Sequence, residues 1–244
     1  MLTGLLAGCE GSDSSSWWQS EVDQCSVAAN QKGTFMAPPK NSQITLVVDN
    51  LIANDPAHGA DYMTAIQAAA KRWNDFGQQQ KGSDFFTIGT GDLPDDLRTA
   101  KFADCNLTDV GDENHFYMML VTDMNQWQKN NFTSSIPGGT VRCYINGALT
   151  KQVIMVNPTL IQPSQFMSVA VHEMGHSLGL DHSCQIGDGT DSFVGCNKIT
   201  DSHDPYYLAV MYPQLVWDPT LEDNLAIKED LQSNDMERAS CFYK

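Results

Sequence analysis

The chain has 244 residues, enough for one catalytic-sized domain of about 200 residues plus a tail, and 41% of them are hydrophobic, enough for a substantial core. Its 30 acidic and 14 basic side chains leave a net charge of −16, which argues against nucleic acid as a partner, since that rewards clustered Lys and Arg, and suits a soluble exported protein. Its 7 cysteines include no C-x-x-C pair, so neither a cysteine zinc site nor a thioredoxin-like motif is expected.

At the N-terminus, Leu6-Ala7-Gly8-Cys9 resembles the bacterial lipobox, whose cysteine is lipidated after signal cleavage. The likeness implies membrane anchoring through Cys9 and a cell-envelope location. A signal peptide needs a basic start and an apolar run of about 7–15 residues, whereas only Met1 to Gly8 precede Cys9, without Lys or Arg. Either the true start lies upstream or the likeness is accidental. Residues 10–42 are polar, with Gly11-Ser12-Asp13-Ser14-Ser15-Ser16 and Pro38-Pro39, and read as a flexible tether. Trp17-Trp18 within it is read as docking on the body in preference to a membrane interface. No other apolar run approaches the ~20 residues that span a bilayer.

The body of the chain begins at residue 43. Ile44 to Val48 is a compact β-branched run and reads as a buried strand. Asp61 to Phe76 reads as an amphipathic helix, with Tyr62, Ile66, Ala69, Ala70 and Trp73 on one stripe and Gly77 as its end. Phe85 to Ile88 is a short strand, followed by a turn-rich loop over residues 89–94, and Phe116 to Val121 is a longer strand. Thr140 to Ile145, a turn at Asn146-Gly147, and Gln152 to Val156 read as an antiparallel pair. Pro163 suits the first position of a helix running to about Leu178, with Met167, Val171, Met174 and Leu178 as its core stripe. Gly175 inside that helix costs about 1 kcal/mol relative to alanine, which points to close packing.

Residues 172–182 carry the chemistry: His172-Glu173-Met174-Gly175-His176-Ser177-Leu178-Gly179-Leu180-Asp181-His182. Positions four apart lie on one helix face, so His172 and His176 can offer two imidazole nitrogens to one ion. Glu173 lies roughly 100° away around the axis, placed to reach a water on that ion without ligating it. Gly179 permits a left-handed exit, and the turn can return His182 as third ligand. Three imidazoles on zinc leave one tetrahedral position for a water or substrate, which marks a catalytic site. The run fixes five positions, and a chance match in a chain of this length is of order one in 10⁵.

This H-E-x-x-H-x-x-G-x-x-H run resembles the zinc signature of the metzincin metallopeptidases, and with Ser183 directly after the third histidine it is most similar to the matrixins. Val210-Met211-Tyr212-Pro213 resembles the methionine turn of that clan, and residues 231–243 resemble the final helix of matrixin catalytic domains. The resemblance implies an α+β fold over residues 43–244: a twisted mixed sheet of about five strands, an active-site helix, a backing helix and a C-terminal helix. It implies that Met211 forms an apolar floor beneath the zinc, that the 140–145 strand is the sheet edge above the cleft, and that residues 214–230 border the specificity pocket. Some matrixin features are missing: the structural zinc and calcium segment, the cysteine latency motif, and a pocket tyrosine at the position of Leu215. Tyr212 is not assigned as a ligand.

With Cys9 set aside, six cysteines suit three disulfides in an oxidising compartment. Of the 15 pairings, Cys184–Cys196, Cys105–Cys143 and Cys25–Cys241 are preferred on loop length and on likely neighbouring elements. Residues 183–204 read as a loop; Gly187-Asp188-Gly189-Thr190-Asp191 could hold calcium, but without the acidic spacing of a calcium loop the solvated reading is preferred. His58, His115 and His203 sit in no motif. The expected activity is zinc-dependent hydrolysis of internal peptide bonds in extracellular or periplasmic proteins by a monomer, with Glu173 activating the metal's water. Two other readings stay open: a zinc-binding surface lipoprotein without catalysis, and a metallohydrolase acting on a non-peptide amide.

Overall fold

The computed structural model describes residues 43–93, 97–98, 115–145, 148–190, 193–213 and 227–243. Five strands form one mixed sheet: β1 (Ile44–Asp49), β2 (Phe86–Gly91), β3 (His115–Leu120), β4 (Gly138–Ile145) and β5 (Ala148–Val156). Their order is β2-β1-β3-β5-β4. The first four in that order run parallel, and β4 pairs antiparallel with β5 at the edge. The expected α+β class with about five strands is what the chain adopts. The β4–β5 pairing closes at Ile145 opposite Ala148 and shifts register between Cys143 and Tyr144; the expected turn at residues 146–147 lies outside the described residues.

Strand alternation divides the interior into two cores, because successive residues point to opposite faces. Ile44, Leu46, Val48, Phe116, Met118, Ile154 and Val156 face two long helices. Met119, Val141, Val153 and Met155 face the other way, onto Trp127, Leu93 and Leu97. Trp127 belongs to a short helix, α3 (Met124–Lys129), capped by the Asp123 carboxylate.

The backing helix α2 (Gly59–Lys81), preceded by the single turn α1 (Asn50–Ala53), is longer than the spacing alone predicts. Gly77 does not end it. A Cβ at Gly77 would sit 2.7 Å from the Phe85 ring and 2.7 Å from the Ser83 carbonyl oxygen, so that glycine admits the incoming strand while the helix runs past it. The end comes at Gly82, whose φ of 70° is the left-handed cap. Asn74, in mid-helix, accepts from the Phe85 and Phe86 amides and donates to the Phe86 carbonyl, tying β2 to the helix.

The active-site helix α4 (Phe166–Ser177) is preceded by a 3-10 turn over Pro163–Gln165, so Pro163 opens the turn rather than the helix itself. Trp73 crosses from α2 and donates its indole N–H to the Val171 carbonyl (2.9 Å). Val171, Met174 and Leu178 are buried as expected, whereas Met167 is only half-buried and Phe166 and Ala170 complete the stripe.

The loop over 183–204 contains a small hairpin, β6 (Gly189–Thr190) with β7 (Phe193–Val194), and the Cys184–Cys196 disulfide. The other two expected pairings involve residues outside the described set, although Cys241 is itself disulfide-bonded. The Asp188 carboxylate accepts from Asn197, and Asp191 lies outside the described residues. A helical turn, α5 (Pro205–Leu208), leads to the methionine turn, and α6 (Ser233–Ser240) is the C-terminal helix. Among the described residues, no helix is long and apolar enough to cross a membrane. The tether at residues 1–42, with Cys9, lies outside them.

Candidate metal centre

α4 carries His172 and His176 on one face, and the chain leaves it at Leu178 through Gly179, whose φ is 91°. That left-handed step, cheap only for glycine, returns His182 to the same place. The ring centroids of the three histidines stand 4.7, 5.3 and 5.0 Å apart, and their ligand nitrogens lie within 4.8 Å of one another. No fourth His, Cys, Asp or Glu among the described residues joins the group. His58 and His203 stand apart; His203 is exposed and pairs with Asp201 (3.2 Å).

The donor set fits zinc. His172 donates its Nδ1–H to the Val210 carbonyl (2.7 Å) and His176 donates its Nδ1–H to the Leu180 carbonyl (2.8 Å). A carbonyl can only accept, so these bonds fix the tautomer and leave each Nε2 lone pair for a metal. Burial holds the imidazoles neutral, the form that ligates: it pushes His172 down to about 4, and His176 and His182 are held well below their usual value by burial together with the mutual proximity of the rings and of Arg142.

Glu173 is buried beside this group, and burial pushes its pKa up to about 7, against the opposing pull of the Thr140 hydroxyl and Arg142. Thr140 of β4 donates to Glu173 Oε2 (2.6 Å). Two residues along the same strand face, Arg142 is buried and donates to the carbonyls of His176 (3.2 Å) and Leu180 (3.3 Å). These bonds tie β4 to the end of α4 and to the turn that follows it.

Met211 is fully buried beneath α4. A Cβ on Gly175 would come within 2.3 Å of the Met211 sulfur and 2.9 Å of the Trp73 ring, so close packing is the reason for that glycine. α6 holds the site from below. The Asp235 carboxylate accepts from the amides of Val210 (2.9 Å) and Met211 (3.1 Å), while Arg238 donates to the carbonyls of Asp181 and His182 (both 2.9 Å). Tyr243 adds a hydroxyl bond to the Leu178 carbonyl (2.7 Å).

Reading the sequence residue by residue singles out the three histidines, Glu173, Gly179 and Met211, and the structure brings them into one place. It does not single out Thr140, Arg142, Asp235 or Arg238. The available signal was two polar residues at alternate positions of a strand otherwise built for burial, and an Asp and an Arg one helical turn apart in α6.

The matrixin family model matches residues 68–188, a span that takes in the later part of the backing helix, strands β2 to β5 and the whole histidine run. No curated protein sequence matches the chain. Among solved structures, that of myroilysin is 10% identical, covering 84% of this chain and 97% of its own with a TM-score of 0.37. The archaemetzincin of Methanopyrus kandleri is 16% identical, covering 59% of this chain and 78% of its own with a TM-score of 0.27.

Proposed function

From the premise that this chain is a matrixin-like metzincin and a zinc metallopeptidase, we propose that it cleaves internal peptide bonds, with His172, His176 and His182 as the metal ligands and Glu173 as the general base. The observation that carries the proposal is the convergence of three neutral imidazoles beside a buried carboxylate that is itself outside the ligand set. Zinc held there supplies Lewis acidity to the scissile carbonyl and acidifies a water near neutral pH.

The rest is done by the chain. Glu173 takes a proton from the attacking water and hands it to the leaving amine, acting as general base and then as general acid. Met211 presents an apolar floor. Among the described residues β4 lies at the sheet edge, and its outer side suits pairing with an extended substrate through main-chain hydrogen bonds.

An extracellular or cell-envelope location, anchored through Cys9 or released, is part of the same proposal; the Cys184–Cys196 disulfide supports an oxidising compartment.

The test is Glu173→Gln against the wild type on a broad peptide library, with bound zinc measured in parallel. Loss of at least about 10²-fold in kcat with zinc retained is expected of a lost general base. Equal turnover by the two proteins would remove Glu173 from the chemistry, and zinc binding without any cleavage would leave a binder or an enzyme for another amide.

A further inference from the structure

We propose that Thr140 is a positioning residue that divides the labour between the two carboxylate oxygens of Glu173. The inference rests on the reading of Glu173 as general base. Thr140 Oγ1 lies 2.6 Å from Glu173 Oε2 and 3.3 Å from the Glu173 main-chain carbonyl. A hydroxyl has one proton to give, and the shorter, charge-assisted contact takes it. Oε2 is therefore committed to the strand.

Oε1 has a different neighbour. Gly138, two residues earlier on the same face of β4, carries no side chain, and a Cβ there would sit 2.9 Å from Oε1 and 2.5 Å from Val169 Cγ1. Residue 138 thus keeps the ground beside Oε1 clear, while residue 140 pins its partner oxygen. A glutamate has two staggered side-chain torsions and a broad terminal one that sets where each oxygen points, and burial alone does not fix that last torsion. The pair on β4 chooses for it: Oε2 is anchored and Oε1 is the oxygen that receives the proton of water. Because β4 is also the edge strand, one element both ends the sheet and aims the base.

Thr140→Val replaces the donor with a methyl of similar shape, and Thr140→Ser restores the donor. Kinetics on a cleaved peptide, zinc content, thermal midpoint and the Kd of acetohydroxamic acid, a weak acid that binds zinc and whose proton a neighbouring carboxylate can accept, are measured for each. We expect Thr140→Val to lower kcat about tenfold with KM little changed, as a misaimed base should, and to weaken hydroxamate binding several-fold. Zinc content stays at the wild-type level, and Thr140→Ser recovers both kcat and hydroxamate affinity. Full kcat and hydroxamate affinity in Thr140→Val, or equal impairment in Thr140→Ser, overturns the proposal. Should the wild type cleave no peptide, the peptidase reading fails separately, and the hydroxamate comparison still decides the role of Thr140.

Discussion

A missing methyl group at residue 175 lets Met211 and Trp73 meet beneath the active-site helix. Alanine there gains about 1 kcal/mol of helix propensity, but its Cβ would press on the Met211 sulfur at 2.3 Å and on the Trp73 ring at 2.9 Å. The thioether can swing aside; the indole is held by its bond to Val171. Overpacking typically costs about 1–3 kcal/mol, so Gly175→Ala should lower stability by about 1 kcal/mol net, read as a lower urea midpoint at unchanged slope. Gly77 shows why such glycines are hard to interpret from a string of letters. Its neighbour is Phe85, beyond the end of the same helix, and only the folded contact separates a glycine that stops a helix from one that admits a partner. Lys228 is a second residue whose role comes from its surroundings. Its ammonium donates to the Tyr207 carbonyl and lies over the rings of Tyr207 and Tyr212, at 4.6 and 4.4 Å. Burial lowers its pKa to about 8 from 10.5. Between those two values the unfolded chain holds a proton that the folded one has released, so this group adds stability as pH rises through that window. Denaturation of wild type and Lys228→Gln at both ends of the window should show a larger gain in the wild type.

At the scale of elements, α6 does more for the metal centre than its distance in sequence suggests. Asp235 holds the amides of the methionine turn and Arg238 holds the carbonyls of Asp181 and His182, so one helix secures Met211 and His182 together. Outer partners of metal ligands are typically worth about 10–100-fold in affinity. Arg238→Met should weaken zinc binding by that order, measured by competition with a chromogenic chelator, while leaving His172 and His176 bonded to their own carbonyls. The helix itself was legible from its likeness to a matrixin C-terminus. Its task was not, because the bonds of Asp235 and Arg238 reach back 24 to 57 residues along the chain. The same holds for β4. Its strand pattern is plain, yet that Thr140 and Arg142 turn toward α4 follows from pairing with β5, which sets which face of the strand is inward.

For the molecule as a whole, the order of elements was readable because each carries its own period, two for the strands and 3.6 for the helices. The order of strands in the sheet was not, since parallel neighbours such as β1 and β3 are joined by long crossovers that leave no local mark. The expectation of a mixed sheet came from family likeness and agrees with the fold. The histidine cluster was the most legible part of all, because helix geometry and one glycine bring three rings together within eleven residues of chain.

A further consequence lies in the Leu180 carbonyl, which accepts from the His176 ring and from Arg142 at once. The rings of His172 and His176 are held in place by main-chain oxygens and the backbone of His182 by Arg238, and the ion is left with little organising to do. Treatment with a chelator should therefore yield a protein that keeps its near-ultraviolet dichroism and cooperative melting, dead but intact, and that recovers activity as soon as zinc is returned, with no refolding step in between.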